Sequence, residues 1–253
     1  MGTISFDKVS KTYPGAQEVR ALEDVSLTVA EGEFVALLGP SGCGKSTLLN
    51  LLAGFEKTTE GTMLFDGAAI SHPGPDRGVV FQEAALFPWL SVWENLIFSP
   101  KVRGLSRAAY EPKARELLKL VGLEAFADAL PVQLSGGMRQ RVGIARVLAM
   151  NPRALLMDEP FGALDAQTRL QMQQLLLDVW QSLGTTVLFV THDIDEAVLL
   201  SDRVCIMSAR PGRIVQTIPI EMTRPRSITK LTSPEFMAYK AQIMSGMQVG
   251  AIH

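Results

Sequence analysis

The pattern of apolar and polar positions predicts two kinds of β-strand. Apolar and polar residues alternate in TISFDKVSKTY and ALEDVSLTV, near the start of the chain, as a half-buried antiparallel sheet requires. EFVALLG, ALLMDE and TTVLFVTH are instead short and almost entirely apolar, which is typical of parallel strands that are buried on both faces. We therefore expect the chemistry of the protein at the carboxyl ends of these three strands.

A helical period appears in three other segments. Residues 165–184 predict an amphipathic crossover helix, because apolar residues recur there at helical spacing: Met172, Leu175, Leu176, Val179, Trp180 and Leu183. Residues 88–150 contain helix patterns but few strand patterns, and we interpret them as a helical block. Ser233 is the predicted cap of a last helix, which would start with the proline and glutamate that follow it.

Composition narrows the possible partners. The chain has 253 residues, a formal net charge of −2 and a pI near 6.0, so no basic surface indicates a nucleic-acid partner. The sequence shows neither a signal-peptide pattern nor a run of roughly 18 apolar residues, so we expect any membrane-spanning part to belong to another chain. Cys43 and Cys205 lie in unrelated contexts, which favours reduced thiols over a disulfide.

The sequence GPSGCGKST follows one of the buried strands and opens an apolar helix. It completes the pattern G-x-x-x-x-G-K-[ST], in which glycines allow successive backbone N–H groups to point at phosphate oxygens. Lys45 is expected to reach the β- and γ-phosphates, and the Ser46 hydroxyl is expected to coordinate Mg²⁺. The predicted nucleotide-binding residues of this loop are Gly39, Pro40, Ser41, Gly42, Cys43, Gly44, Lys45, Ser46 and Thr47.

Two simpler interpretations apply to parts of this loop. A glycine-rich turn could carry a lysine by chance, but the strand before it and the helix after it favour a phosphate loop. Cys43 could be a small filler or a redox sensor, and its place beside a helix N-terminus would lower the pKa of its thiol.

Two adjacent carboxylates, Asp158 and Glu159, end the strand ALLMDE. Like charges repel each other, so a nearby cation would explain the pair. Asp158 is then expected in the coordination shell of Mg²⁺, and Glu159 is expected to be the general base that polarises water toward the γ-phosphate. An exposed acidic turn is the alternative, which the presence of the phosphate loop weakens.

Further polar residues stand at the ends of predicted elements. His192 ends TTVLFVTH and is expected to bind the γ-phosphate or the attacking water, although a lone histidine is more often structural. Gln82 follows a strand and could contact both Mg²⁺ and water, although glutamines in loops are commonly just solvated. Ser135, Gly136 and Gly137 open a helix and predict a second anion site, with an ordinary capped helix as the alternative.

Six motifs, taken in order, resemble those of ATPase subunits of ATP-binding cassette (ABC) transporters. They are GPSGCGKST, Gln82, LSGGMRQR, ALLMDEP, GALD at 162–165 and His192, and the resemblance covers about residues 3–215. It implies an α/β fold with a P-loop NTPase core and a mostly parallel sheet, an N-terminal antiparallel β subdomain and an inserted helical subdomain. The implied parts of this single domain (1–253) are the core with its antiparallel subdomain at 1–87 and 151–215, the helical subdomain at 88–150 and a short C-terminal helical tail at 216–253.

In that family, ATP is held between the phosphate loop of one subunit and the signature motif of another. The resemblance therefore implies a head-to-tail homodimer in which Ser135, Gly136, Gly137 and Met138 contact ATP across the interface. Met138 stands where the family commonly has glutamine, which removes the side-chain amide and leaves the backbone site.

The resemblance also implies roles for single residues. Tyr13 would stack on adenine with its flat aromatic surface, and Asp165 would link the two ATP sites. The implied catalytic residues are Glu159, His192, Gln82 and Lys45, and the implied Mg²⁺ ligands are Ser46, Gln82 and Asp158.

Two longer segments, GPDRGVVFQEAALFPWLSVWENL and SARPGRIV, resemble the ATPases of nitrate, sulfonate and taurine importers. This resemblance implies integral membrane permease subunits as partners, a solute-binding protein that acts through them, and a peripheral location at the cytoplasmic face of the inner membrane. Phe87, Pro88, Trp89 and Leu90 are candidates for contact with the permease, although core packing is the alternative for the two aromatic residues.

The leading hypothesis is an ATPase that dimerises on ATP and powers the import of a small anion or sulfonate. The ATPase of an ABC exporter or of a lipid-extraction complex is one alternative, because it would share every catalytic residue. A soluble ABC ATPase acting on DNA or ribosomes is another, but such proteins usually carry coiled-coil inserts, paired cassettes or basic surfaces, none of which the sequence shows.

Overall fold

Two β-sheets organise the fold, and the computed structural model describes residues 2–15 and 17–250. The strands of the described residues are β1 (Ile4–Tyr13), β2 (Val19–Val29), β3 (Phe34–Leu38), β4 (Glu60–Phe65), β5 (Ala68–Ala69), β6 (Arg77–Val80), β7 (Ala154–Asp158), β8 (Thr186–Thr191), β9 (Arg203–Met207) and β10 (Ile214–Pro219). The helices are α1 (Lys45–Ala53), α2 (Val92–Val102), α3 (Arg107–Leu120), α4 (Gly136–Leu148), α5 (Ala166–Leu183), α6 (Ile194–Leu200) and α7 (Pro234–Gly250). Short 3₁₀ helices occupy Glu124–Phe126, Pro131–Gln133 and Ile228–Thr232. The predicted α/β class is confirmed.

The four-stranded sheet is antiparallel and has the strand order β2-β1-β4-β5. Ile4 and Phe6 are buried and Ser5 between them is not, as the alternating pattern predicts. The alternation breaks at Lys8, which has a φ of 51°, and the register shifts there as in a β-bulge. This sheet covers one face of the larger sheet.

The six-stranded sheet has the order β10-β9-β3-β8-β7-β6, and its strands are parallel except for β10. All five residues of β3 are buried, as its continuous apolar run predicts. Leu38 is in register with Thr191, and Asp158 with Val190. The loops that follow β3, β7 and β8 therefore leave the sheet side by side.

Apolar layers cover both faces of this sheet. On one face, the Phe34 ring lies 5.7 Å from that of Trp180 and 5.8 Å from that of Phe189, between centroids. On the other face, Val35 and Leu37 pack with the leucines of α1 and with the antiparallel sheet. Because the side chains of β3 alternate between these two layers, the strand is fixed from both sides.

The helical block contains α2, α3 and α4. Ser91 and Glu94 form a capping box at the start of α2. The crossover helix predicted at 165–184 is α5, which Asp165 caps at its start and Gly184 ends in the left-handed conformation. No helix of the described residues combines the length and the apolar character needed to cross a membrane.

The C-terminal segment begins differently from the prediction. Strand β10 runs through the predicted boundary at 215/216 and pairs antiparallel with β9, so a purely helical tail over 216–253 is wrong. The sequence hides this strand because it is a short edge strand, in which Ile218 is the fully buried residue. The last helix starts as predicted, since the Ser233 hydroxyl accepts a hydrogen bond from the N–H of Phe236.

A buried arginine fastens this segment to the core. Arg226 is 1% exposed, and its guanidinium donates hydrogen bonds of 2.6–3.2 Å to the carbonyls of Val198, Ser201, Ile220 and Met222. Burial, and then the charge of Arg224, lower the pKa of Arg226 to about 10, so the side chain remains charged at neutral pH. Two of the four carbonyls lie at the end of α6, where the negative end of the helix dipole favours a cation.

Replacement of this anchor should destabilise the protein. Arg226→Met leaves four buried carbonyls without their donor, so we expect the free energy of unfolding to fall by about 2–4 kcal/mol. Urea denaturation followed by circular dichroism measures this change. Arg107→Met is the control, because Arg107 is an exposed residue of a surface ion pair, and such pairs contribute little to stability. Equal losses in the two variants would contradict the anchoring role.

Candidate functional site

The phosphate loop joins β3 to α1 and depends on two glycines with positive φ. Gly42 has a φ of 76° and Gly44 a φ of 101°, which L-residues rarely adopt. A Cβ atom on Gly44 would also lie 2.7 Å from Leu22 Cδ2 and 2.8 Å from the carbonyl oxygen of Ala21, on β2. Both backbone conformation and space therefore require glycine at position 44.

Lys45 curls back over the loop from the first position of α1. Its side chain is nearly buried, and Nζ donates hydrogen bonds to the carbonyls of Gly39 (2.8 Å) and Pro40 (3.0 Å). A cavity of about 250 Å³ opens beside it. The lining residues are Tyr13, Val19, Ala21, Ser41, Gly42, Gly44, Lys45, Ser46, Thr47, Glu159 and Arg210.

The side chain of Cys43 is buried behind the loop rather than exposed to the cavity. Burial raises the pKa of its thiol, and the nearby Lys45 ammonium only partly opposes this effect. The expected lowering of this pKa is therefore wrong, because desolvation outweighs the helix N-terminus and the charge of the lysine. The arrangement fits the filler interpretation of Cys43.

The acidic pair meets the phosphate loop. Ser46 Oγ donates a hydrogen bond of 3.1 Å to Asp158 Oδ1, although the two residues are 112 positions apart. Burial, and to a smaller extent the charge of Glu159, raise the pKa of Asp158, while Ser46 and Lys45 act in the opposite direction. The carboxylate is thus held in a place where a cation would stabilise its charged form.

Glu159 lies between the cavity and His192. Its backbone has a φ of 42°, an uncommon left-handed conformation for a side-chain-bearing residue. The ring nitrogen Nδ1 of His192 lies 2.9 Å from Glu159 Oε2. Because a carboxylate can only accept, this bond places the proton on Nδ1 and leaves Nε2 of a neutral ring as an acceptor.

Both neighbours of His192 are fixed by hydrogen bonds. The Thr191 hydroxyl donates to the buried carboxylate of Glu196 at 2.7 Å and accepts from the N–H of Asp193 at 3.0 Å. Burial raises the pKa of Glu196. Arg169 lies within 4.0 Å of this carboxylate and donates to the carbonyl of Leu164, next to Asp165. The loop of the GALD motif and that of His192 are therefore linked through one arginine.

Asp165 caps α5, the helix that carries Arg169. Its carboxylate accepts a hydrogen bond of 3.0 Å from the N–H of Thr168. This bond, together with further hydrogen bonds to the Thr168 side chain and to nearby backbone groups, lowers the pKa of Asp165. The side chain therefore has a structural role within one subunit, beside the coupling role implied by the resemblance.

Gln82 and the signature residues lie away from the phosphate-loop cavity. Gln82 lines a separate crevice of about 490 Å³ together with Gly136 and Arg139. Ser135 caps α4 by accepting a hydrogen bond from the N–H of Met138. A Cβ atom on Gly137 would lie 2.3 Å from Thr168 Cγ2, so this glycine allows α4 and α5 to approach each other closely.

The loop that contains Gln82 is bound to α4 through its carbonyl groups. Gln140 donates to the carbonyl of Phe81 at 3.1 Å, and Arg146 donates to those of Ala84 and Ala85 at 3.1 and 2.9 Å. Burial lowers the pKa of Arg146.

Tyr13 also lines the phosphate-loop cavity. Its hydroxyl donates to Glu56 Oε2 at 2.7 Å, and the Lys11 ammonium lies 4.9 Å from its ring centroid. Burial, and then the hydrogen bond to Glu56, raise the pKa of Tyr13. These contacts hold the ring in one orientation at the rim.

The segment Phe87–Pro88–Trp89–Leu90 forms part of the surface. Trp89 is 71% exposed, so core packing as the alternative for this residue is wrong. Phe87 is half-buried, with its ring 4.4 Å from that of Phe98. The buried amide of Asn95 holds the segment by bonds to the backbone of Phe87 and Leu90. A groove of about 320 Å³ continues from Leu90 along α2.

Arg210 is the charged cavity residue that sequence reasoning missed. It lies in SARPGRIV, in the turn after β9, and donates from Nε to the carbonyl of Gly42 at 3.2 Å. In the sequence, Arg210 is marked only by its place in SARPGRIV, the segment that resembles the importer subfamily. That resemblance does not indicate how far Arg210 lies from the phosphate loop.

Comparisons with known proteins agree with this arrangement. The family described as ABC transporter matches residues 22–162. The taurine import ATP-binding protein TauB of Rhizobium johnstonii is 50% identical over 232 residues, which cover 89% of this chain and 88% of the relative. TauB of Pseudomonas aeruginosa is 47% identical over 225 residues, covering 88% and 86%.

A solved structure gives the same assignment. The dimeric structure of the ATP-binding cassette MJ0796, in a post-hydrolysis state bound to ADP and Pi, has a TM-score of 0.74 and 38% identity. The alignment covers 87% of this chain and 100% of the solved chain. The chain therefore belongs to the ABC transporter family and is one of its ATP-hydrolysing cassettes.

Proposed function

We propose that this chain is the ATPase subunit of an ABC importer that takes up a small anion or sulfonate through separate transmembrane subunits. One observation carries the ATPase assignment. At one edge of the sheet, beside the phosphate-loop cavity, Ser46 is hydrogen-bonded to Asp158 and Glu159 to His192. The TauB relatives are named as taurine import ATP-binding proteins, which supports import as the direction of transport and a sulfonate such as taurine as the class of substrate.

In this proposal, the loop 39–47 and Lys45 bind the phosphates of ATP. Lys45 and the N-terminus of α1 supply positive charge, and the glycine backbone allows a close approach. Tyr13, at the rim of the same cavity, is positioned to stack on the base.

Hydrolysis is proposed to depend on Glu159 as the base for the attacking water. His192 orients this carboxylate through its Nδ1 proton, and a second proton on Nε2 would let the ring donate to the γ-phosphate. The left-handed backbone of Glu159 fits a side chain held in a strained but fixed orientation for catalysis.

The oxygen donors near Ser46 fit a magnesium ion. The Ser46 hydroxyl and the Asp158 carboxylate are 3.1 Å apart, and the half-buried Asp158 stands beside a second negative charge. We propose that both hold Mg²⁺, with Gln82 as a third ligand that lines the neighbouring crevice in this structure. When bound, Mg²⁺ would neutralise charge on the phosphate oxygens.

The proposed active unit is a head-to-tail homodimer. Ser135, Gly136, Gly137 and Met138 are absent from the lining of the phosphate-loop cavity of their own subunit, among the described residues. The N-terminus of α4, where these residues lie, is suited to a phosphate of ATP bound by a second copy. The dimeric cassette structure supports this arrangement.

The proposed membrane partner is a permease that docks on the exposed segment at Trp89. The segment is apolar and is held rigidly by Asn95, so its surface is formed before a partner arrives. The chain would then act at the cytoplasmic face of the inner membrane, with a solute-binding protein delivering the substrate to the permease. No observation favours a DNA- or ribosome-bound role.

Removal of the proposed base should stop turnover but not ATP binding. Glu159→Gln keeps the shape of the side chain and removes its basicity, so we expect kcat to fall by about 10²–10⁴-fold and an ATP-bound dimer to accumulate. Phosphate release and size-exclusion chromatography measure the two effects. Glu116→Gln, on the exposed side of α3, is the control. A variant with undiminished steady-state hydrolysis would refute the assigned base.

Removal of the Tyr13 ring should weaken ATP binding. Tyr13→Ala is expected to raise KM for ATP by roughly tenfold and to change kcat little. The tenfold change corresponds to the loss of a stacking contact worth about 1–2 kcal/mol. Tyr13→Phe separates the ring from the hydrogen bond to Glu56 and should keep a nearly normal KM. If Tyr13→Ala has the KM of the unmodified chain, stacking is not the role of this residue.

Loss of the exposed indole should uncouple the cassette from its membrane partner. Trp89→Ala removes the most exposed aromatic ring of the segment, so we expect co-purification with the permease from native membranes to fall at least about tenfold. ATP hydrolysis by the free cassette should be unchanged. Val132→Ala, also highly exposed but outside the segment, is the control. Full recovery of the permease with Trp89→Ala would argue against docking at this segment.

A further inference from the structure

The turn between β9 and β10, residues 208–213, is fastened to β2 and to itself. The N–H of Gly212 donates to the carbonyl of Ala21 at 2.9 Å, and the N–H of Glu23 donates to the carbonyl of Gly212 at 3.0 Å. Within the turn, the Ser208 hydroxyl donates to the carbonyl of Pro211 and accepts from the N–H of Arg213, both at 3.0 Å. These bonds fix the turn relative to the phosphate-loop cavity, which β2 also lines.

The backbone of the turn touches the phosphate loop itself. A Cβ atom on Gly212 would lie 2.0 Å from the carbonyl oxygen of Cys43, so no other residue fits there without displacing the loop. A Cβ atom on Gly39 would similarly lie 3.1 Å from the carbonyl oxygen of Met207, at the end of β9. Loop and turn are thus packed backbone against backbone.

Arg210 projects from this turn to the cavity. It is a lining residue together with Lys45 and Ser46, and its Nε donates to the carbonyl of Gly42 at 3.2 Å. Arg213, on the same turn, is paired with Glu23 and does not line the cavity. The turn therefore carries one arginine that serves the fold and one that faces the site.

The charges of the lining show what Arg210 adds. Its charged members are Lys45, Glu159 and Arg210. Without Arg210, the charges of the lysine and the glutamate cancel; with it, the lining is positive. A guanidinium has five N–H donors in a planar fork, so one can remain on the Gly42 carbonyl while others bind phosphate oxygens.

We propose that Arg210 is a nucleotide-binding residue. Its guanidinium contacts the phosphate chain of a nucleoside triphosphate bound in the cavity, while its Nε keeps the hydrogen bond to the Gly42 carbonyl. The proposal rests on the proposed function of the cavity as the ATP site. It makes the β9–β10 turn a further wall of that site, supplied by a part of the chain 168 positions away from Gly42.

Binding measurements on the full chain test this proposal. Arg210→Gln, Arg210→Lys and the control Arg213→Gln are titrated calorimetrically with ADP, with a non-hydrolysable ATP analogue and with adenosine. We expect Arg210→Gln to weaken binding of the ATP analogue by about five- to twentyfold, the loss of a charge-assisted hydrogen bond at a partly exposed site. Adenosine binding should be unchanged, and Arg210→Lys should recover part of the affinity because it keeps the charge.

A second measurement separates binding from bracing. The melting temperature of nucleotide-free Arg210→Gln should stay close to that of the unmodified chain, because the Arg210 side chain is exposed. The affinity of Arg210→Gln for the ATP analogue should depend less steeply on salt than that of the unmodified chain. Weakened binding of the ATP analogue alone, without an effect on ADP, also supports the proposal and assigns the contact to the γ-phosphate.

Two outcomes would overturn it. Unchanged affinity of Arg210→Gln for the ATP analogue shows that the guanidinium does not contact the nucleotide. An equal loss for adenosine shows that the substitution acts by distorting the cavity. Both differ from failure of the proposed function, in which the unmodified chain itself would neither bind nor hydrolyse ATP.

Discussion

The site depends on three parallel strands that are buried on both faces. Burial of a large apolar side chain stabilises a protein by about 1.5–3 kcal/mol, so the apolar residues of β3 alone contribute an amount comparable with the whole net stability of a typical domain. In the observed register, β3, β7 and β8 bury these residues and end side by side, with Leu38 opposite Thr191 and Asp158 opposite Val190. The positions of the phosphate loop, the acidic pair and His192 are therefore consequences of core packing.

The rigid sheet allows the site to keep groups in unfavourable states. Glu159 has a left-handed backbone, Asp158 is half-buried with a raised pKa, and Lys45 is nearly buried against carbonyl groups. Each of these features costs free energy in the protein alone. Each also places a charge or dipole where phosphate and a cation would meet it, so that little reorganisation is needed when they bind.

Local patterns predicted the elements but not the distances between them. The apolar runs of β3, β7 and β8, the helix over 165–184 and the cap at Ser233 are visible in the sequence because each is a local signal. The bond from Ser46 to Asp158 spans 112 positions and follows only from strand register. The extent of β10, the exposure of Trp89 and the pKa of Cys43 depend on which surfaces the fold covers. Arg210 was invisible for the same reason, since nothing near it in the chain indicates that its turn meets the phosphate loop.

The binding of the Gln82 loop to α4 has a mechanical consequence. The loop cannot slide along the helix without breaking the three hydrogen bonds from Gln140 and Arg146, each worth about 1 kcal/mol or more. Thirteen residues at 1.5 Å each make α4 a rod of about 20 Å, with Arg146 near one end and Ser135 at the other. Because a helix of this length is stiff, a movement of the loop that keeps these bonds would carry α4 with it, including the signature residues at its N-terminus.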